Sequence, residues 1–202
     1  MKNLKAILVV CLLSLGLVSA NAQGLRWGAK AGLNVSTVTD VNDGEYKAGF
    51  NVGVIGQYMF SGNEGFGLEA GLQYSMLGYK VKSGEALGIK YDGKTFHASY
   101  IQLPIQALYK FGVGQNLYLY PSLGVYLGYG IGGTNFLETV EAGSKTKYFD
   151  VCEEFDFGLK VGLNLQFESI LIGVGYDYGL TKVVKDTDAK NSNISVSVGY
   201  LF

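Results

Sequence analysis

Two residues of this sequence have the types and spacing for nucleophilic chemistry. His97-Ala98-Ser99 places an imidazole and a hydroxyl two positions apart, which on an extended strand is the same face. A base beside a serine is the minimal arrangement for activating an oxygen nucleophile. That arrangement needs a carboxylate to orient the imidazole, and only Glu153 and Glu154 offer themselves, far along the chain. The bland reading is a polar pair at a strand end. His97 is the only histidine, which excludes a multi-histidine metal site. Gly128-Tyr129-Gly130-Ile131-Gly132-Gly133 matches G-x-G-x-x-G, but that fingerprint holds a dinucleotide only between a strand and a following helix. Here it closes an alternating segment and enters a polar stretch, so its glycines are read as allowing close strand packing. The expectation is a non-enzymatic protein with no catalytic, cofactor-binding or metal residues.

The first residues point to export. Lys2 and Lys5 precede an uncharged run from Ala6 to Val18, and Ala20-Asn21-Ala22 follows. A positive start, a short apolar core and an A-x-A site make a secretory signal peptide, expected over 1–22, with a domain over 23–202. The run is shorter than the roughly 20 apolar residues of a spanning helix. Cys11 follows Val10 where a lipoprotein signal wants a small residue, so lipidation is not expected. Without Lys2 and Lys5 the chain has 14 basic and 17 acidic residues, a balance that gives no reason to expect a nucleic-acid partner. Cys152 is then a lone cysteine and forms no internal disulfide.

The segments that must position these residues alternate with period two. Eight strands are expected, at 25–36, 46–60, 66–79, 97–111, 117–131, 154–167, 170–180 and 192–202. The sixth shows the pattern: Phe155, Phe157, Leu159, Val161, Leu163, Leu165 and Phe167 alternate with Asp156, Gly158, Lys160, Gly162, Asn164 and Gln166. Strands of this length exceed the usual 5–6 residues of soluble domains. The second face mixes glycine with scattered charges and amides, which suits a narrow lumen better than a solvated surface. The connections alternate too: 37–45, 80–96, 132–153 and 181–191 are long, and the intervening turns are short. Short periplasmic turns and long outer loops are the outer-membrane pattern. The fold class expected is all-β, an eight-stranded antiparallel transmembrane up-and-down barrel.

Further expectations follow. Aromatics form two girdles, with Trp27, Tyr58, Phe60, Phe66, Tyr109, Phe111, Phe167 and Phe202 at the periplasmic end and Tyr46, Tyr74, Tyr129, Phe155, Phe157, Tyr176 and Tyr178 at the outer end. Arg26, Lys30, Glu69, Lys110, Asp156, Lys160 and Asp177 fall inside as an ion-pair network, because buried charges must pair. That network is a plug rather than an ion path, since eight strands leave room only for their own side chains. Pro104 and Pro121 lie within strands, and a bulge or local break is expected at each.

The segment Ser99-Tyr100-Ile101-Gln102-Leu103-Pro104-Ile105-Gln106-Ala107-Leu108-Tyr109-Lys110-Phe111, with Trp27-Gly28-Ala29-Lys30-Ala31-Gly32-Leu33-Asn34, resembles the small PorT-like barrels typical of Bacteroidota. The resemblance covers the region after the leader and implies a Gram-negative outer-membrane barrel, without implying one activity; the namesake is a secretion-system accessory. The alternation Ile194, Val196, Val198, Tyr200, Phe202 resembles the C-terminal signal read by the barrel assembly machinery. The His97/Ser99 spacing looks like that of outer-membrane lipid A deacylases. The leading expectation is a structural barrel or one that presents loops, with outer-membrane lipid, the assembly machinery and an extracellular or secretion-system protein as partners. The 132–153 loop, with Glu138, Glu141, Lys145, Lys147, Asp150, Glu153 and Glu154, is the contact expected first. A deacylase-like hydrolase and a secretion accessory are the alternatives.

Overall fold

The computed structural model describes residues 24–39, 44–62, 64–81, 84–86, 89–91, 94–133, 137–138, 145–146, 153–183 and 189–202. Residues 1–22, expected to form a signal peptide, Cys152 and most of the 132–153 loop lie outside them. Eight long strands run as β1 (Leu25–Val38), β2 (Lys47–Met59), β3 (Gly65–Val81), β4 (Lys94–Gly114), β5 (Leu117–Gly133), β6 (Phe155–Phe167), β7 (Ile170–Gly179) and β8 (Asn191–Leu201). Each pairs antiparallel with its sequence neighbour, β8 also pairs with β1, and β3 with β4, so the sheet closes on itself. The expected barrel is present, and the strand bounds agree to within a few residues.

Closure explains the alternation. A closed sheet has no free edge, so every strand presents one face to the lumen and one to the surroundings. Leu33 is 70% exposed and its neighbour Asn34 is 1% exposed. The same inversion holds round the ring: Val54, Leu123, Val161, Ile172 and Val198 face out, and Gln57, Ser122, Lys160, Gly173 and Ser197 face in. A soluble sandwich would have the reverse arrangement. Out-facing aromatics cluster at the short-turn end, with Phe66 and Tyr109 ring centroids 4.7 Å apart and Tyr200 and Phe202 at 5.6 Å.

Each proline interrupts one ladder and spares the other. Between β3 and β4 the pairing passes from Ala70↔Ile105 to Gln73↔Gln102 without the two pairs at Leu103 and Pro104, yet Pro104↔Tyr126 persists on the β5 side. At Pro121 the β4 ladder skips from Leu108↔Ser122 to Phe111↔Leu119, while Leu163↔Pro121 persists on the β6 side. In a strand each residue turns its N–H and C=O to the same neighbour, so a missing N–H costs one side only. Register is the same before and after both gaps, so these are breaks, not bulges. Register shifts occur instead at Ser99/Tyr100 and Gly112/Gly114. At the first, Ser99 pairs with Gly132 and Tyr100 with Gly130, leaving Ile131 as the extra residue.

The β3–β4 hairpin outreaches its neighbours. β5 leaves β4 at Ala98↔Gly133, but β3 and β4 stay paired through Tyr79↔Phe96 and Val81↔Lys94. The short strands Gly84–Ala86 and Ile89–Tyr91 then pair in the same register, ending at Ala86↔Ile89.

Candidate functional site: the lumen and the long-loop rim

Glycine makes the lumen wide enough for polar side chains. Lys30 is flanked in its row by Gly53 on β2 and Gly199 on β8. A Cβ on residue 199 would stand 2.8 Å from Lys30 Cγ, and one on residue 53 would strike Gln73 Cα at 2.6 Å. In that space Lys30 Nζ meets Glu69 Oε1 at 2.6 Å, and Gln57 Nε2 donates to Glu69 Oε2 at 3.4 Å. Across the lumen, Lys160 Nζ meets Asp177 Oδ1 at 2.5 Å, and Asn193 Nδ2 donates to Asp177 Oδ2 at 3.2 Å. The two ion pairs border a cavity of about 50 Å³, also lined by Asn34, Asn51, Gln106 and Ser122. It has room for a few water molecules and for no larger solute.

Among the described residues the expected ion-pair network is represented by these two separate pairs. The other lumen charges are satisfied differently. Lys110 is 2% exposed and lies over the Tyr118 ring, 4.4 Å from its centroid. Arg26 stands half-buried opposite Gln57. Asp156 is buried, and its carboxylate accepts from Tyr126 Oη (3.1 Å), Thr181 Oγ1 (3.0 Å) and Asn191 Nδ2 (2.8 Å). Lys47, on the polar face of β2, is a further buried lumen lysine that the sequence reading did not count among the charges; its Nζ donates to Leu77 O at 3.3 Å.

Two layers close this polar middle. At the short-turn end, Ile55, Met59, Leu108, Tyr120, Leu171 and Leu201 form a buried apolar cluster. It lies on in-facing positions, where sequence reasoning expected polar groups. At the long-loop end, Tyr126 lies over Gly158, where a Cβ would meet the ring at 2.6 Å, and Tyr100 is buried nearby in the same strand pair.

His97 and Ser99 share the outward face of β4, as expected from their spacing, with His97 exposed and Ser99 half-buried. Ser99 Oγ shares a hydrogen bond of 2.8 Å with Tyr74 Oη. A phenol is no general base at neutral pH, so this contact does not activate the serine. Glu154 accepts from Tyr129 Oη at 2.6 Å, and Glu153 is exposed. The sequence had nothing to indicate either tyrosine partner, because both come from neighbouring strands. Among the described residues no three His, Cys, Asp or Glu stand close enough to hold a metal ion.

A model of the outer membrane protein beta-barrel domain matches residues 20–185. Among solved structures, Neisserial surface protein A is 16% identical, aligning 89% of this chain with all of that one at a TM-score of 0.53. The attachment invasion locus protein Ail of Yersinia pestis is 19% identical over 89% of this chain and 99% of its own, with a TM-score of 0.45. The outer membrane enzyme PagL is 11% identical over 85% of this chain and 98% of its own, with a TM-score of 0.46. No curated protein matches the chain. The likeness to the Neisserial protein is one of fold. With lipid-facing apolar strands, a polar lumen closed by its own side chains and a domain model spanning most of its length, the chain belongs to the outer membrane protein beta-barrel domain family.

Proposed function

We propose that this protein is a non-enzymatic, non-conducting barrel of a Gram-negative outer membrane that serves as a scaffold for segments raised at its outer end. The observation that carries the reading is the lumen, which an apolar layer closes at one end and in which two ion pairs border a cavity of about 50 Å³. With no room for passage, the work falls to the long connections, taken as extracellular because the opposite turns are short. The Ser99–Phe111 segment supports a place among PorT-like barrels, and the leader supports export through a cleaved signal.

Shortening both Gly84–Tyr91 and the 134–152 segment to tight turns should leave folding intact. The shortened protein is expected in the outer membrane, with heat-modifiable gel migration, and without channel steps in a planar bilayer. Loss of the heat shift, or steady conductance from the unaltered protein, counts against the scaffold reading.

Lipid hydrolysis is a second reading, and one observation favours it: His97 and Ser99 do share the membrane-facing side of β4 near its outer end. Because Ser99 is tied to Tyr74, Ser99→Ala is expected to leave the lipid A species of the host unchanged. A lipid A species that disappears with Ser99→Ala would make the hydrolase reading the better one.

A further inference from the structure

We infer that the outer part of the β3–β4 hairpin is a hinged arm, latched to the barrel from inside the lumen by Asn34, Ser36 and Lys47. The inference rests on the scaffold reading above and deepens it, because the latch sets the direction in which the raised hairpin is presented.

The hinge line is a row at which the ladders on both flanks of the hairpin lose their regularity. Between β2 and β3 the pairing is regular as far as Asn51↔Ser75 and resumes at Glu45↔Lys80. Residues 46–50 thus stand against 76–79, with one residue extra on the β2 side and no ladder pair between them. Between β4 and β5 the register shifts at Ser99/Tyr100. Ser75 pairs with Tyr100 and Met76 with Ser99, so the two irregularities lie at one height on opposite flanks of the same strand pair. β3 and β4 themselves stay in register through that row, as far as Val81↔Lys94. A strand pair that is continuous within itself and interrupted on both flanks can turn as a unit about the interrupted row. Just above the row, Gly78 has a φ of 150°, a conformation that glycine adopts freely.

Side chains stand in for the missing ladder. Asn34 Nδ2 donates to Ser75 Oγ at 3.0 Å and to Met76 O at 3.3 Å. Ser36 Oγ donates to Gly78 O at 2.8 Å and accepts from Gly78 N at 3.0 Å. Lys47 Nζ donates to Leu77 O at 3.3 Å. Asn34 and Ser36 belong to β1, which has no ladder to β3, so both reach past β2 to hold the arm. All three residues are buried, which protects these bonds from competing water. Gly49 lets the latch close, since a Cβ on residue 49 would strike Met76 O.

The test measures the pose of the arm in the folded full barrel in detergent. With Cys152→Ser, nitroxide labels go on Ala86→Cys in the arm and Leu180→Cys beyond the outer end of β7. The otherwise unaltered barrel is expected to give one narrow distance distribution by pulsed electron resonance. Asn34→Ala with Ser36→Ala should keep the heat shift and widen the distribution about twofold. Ser36→Thr keeps the hydroxyl and should stay narrow. Ser122→Ala removes a lumen hydroxyl bonded to Gln106 instead, and should also stay narrow. The Gly78 amide, read by hydrogen exchange, should exchange about tenfold faster in Ser36→Ala, with Ile172 unchanged. A distribution unmoved in the double variant, equal widening by Ser122→Ala, or unchanged exchange at Gly78 overturns the latch. If the double variant loses its heat shift, Ser36→Ala alone decides by the same two readouts. Steady conductance from the unaltered protein tells against the scaffold reading and leaves these distances to decide the latch.

Discussion

Replacing Glu69 with alanine is expected to destabilise the folded barrel by about 3 kcal/mol, while the double change Lys30→Met with Glu69→Leu restores most of that loss. Glu69 is the acidic partner of Lys30 at 2.6 Å and also accepts from Gln57. Removing it leaves an ammonium in the lumen without its counter-charge, and an amide donor without its acceptor. Breaking a buried pair costs about 3–5 kcal/mol; the low end applies because Lys30 lines the cavity and keeps access to whatever water enters it. In the double variant nothing charged remains to be compensated. The lysine stem already packs over Gly199, so methionine follows the same path along the wall. Urea unfolding of the refolded barrel, read by Trp27 as the single tryptophan, gives both differences. A Glu69→Ala barrel as stable as the parent would mean that the pair is fully hydrated and contributes nothing. A double variant no better than the single would place the cost in lost packing instead of lost charge.

The barrel was legible in the sequence because period two is a local property. Each strand carries its own parity, and Phe155 to Phe167 reads as lipid-facing before any partner strand is known. What depends on register between strands was not legible. The apolar layer at the short-turn end is the plainest case: Ile55 sits between Gly53 and Gln57 on the in-facing side of β2, and Leu171 and Leu201 break parity in the same way. Taken one strand at a time these are stray residues. Only the closed ladder shows that they meet in one cluster with Met59, Leu108 and Tyr120. The breaks at Pro104 and Pro121 were foreseeable from the missing N–H, but the side on which each falls is set by strand pairing. Ser99 is similar. Its spacing from His97 is a property of one strand, and its hydroxyl's partner, Tyr74, is a property of two.

Asp156→Ala is expected to cost about as much as loss of Glu69, by a different route, the loss of a shared hydrogen-bond acceptor. The carboxylate joins four strands: it lies on β6 and accepts from Tyr126 of β5, from Thr181 just past β7 and from Asn191 at the start of β8. Tyr126 and Asn191 are buried, and each would keep a donor without its acceptor. An orphaned buried donor costs about 1–3 kcal/mol. Thr181 has an alternative acceptor in Phe157 O and loses less. The sum is roughly 3–4 kcal/mol. Asp156→Asn tests whether charge or acceptor number matters. An amide has one accepting oxygen, so Asn at 156 serves some of the three donors and should fall between the parent and Ala. Tyr126→Phe removes one donor with its hydroxyl and should reduce the further cost of Asp156→Ala, because one orphan fewer is left behind. That non-additivity, measured as a double-mutant cycle in the same urea experiment, is the discriminating quantity. Strict additivity would show that Tyr126 and Asp156 stabilise the outer lumen independently. Coupling would identify the carboxylate as the post to which β5 to β8 are tied, and would locate the rigidity of the outer lumen in the hydrogen-bond cluster around it.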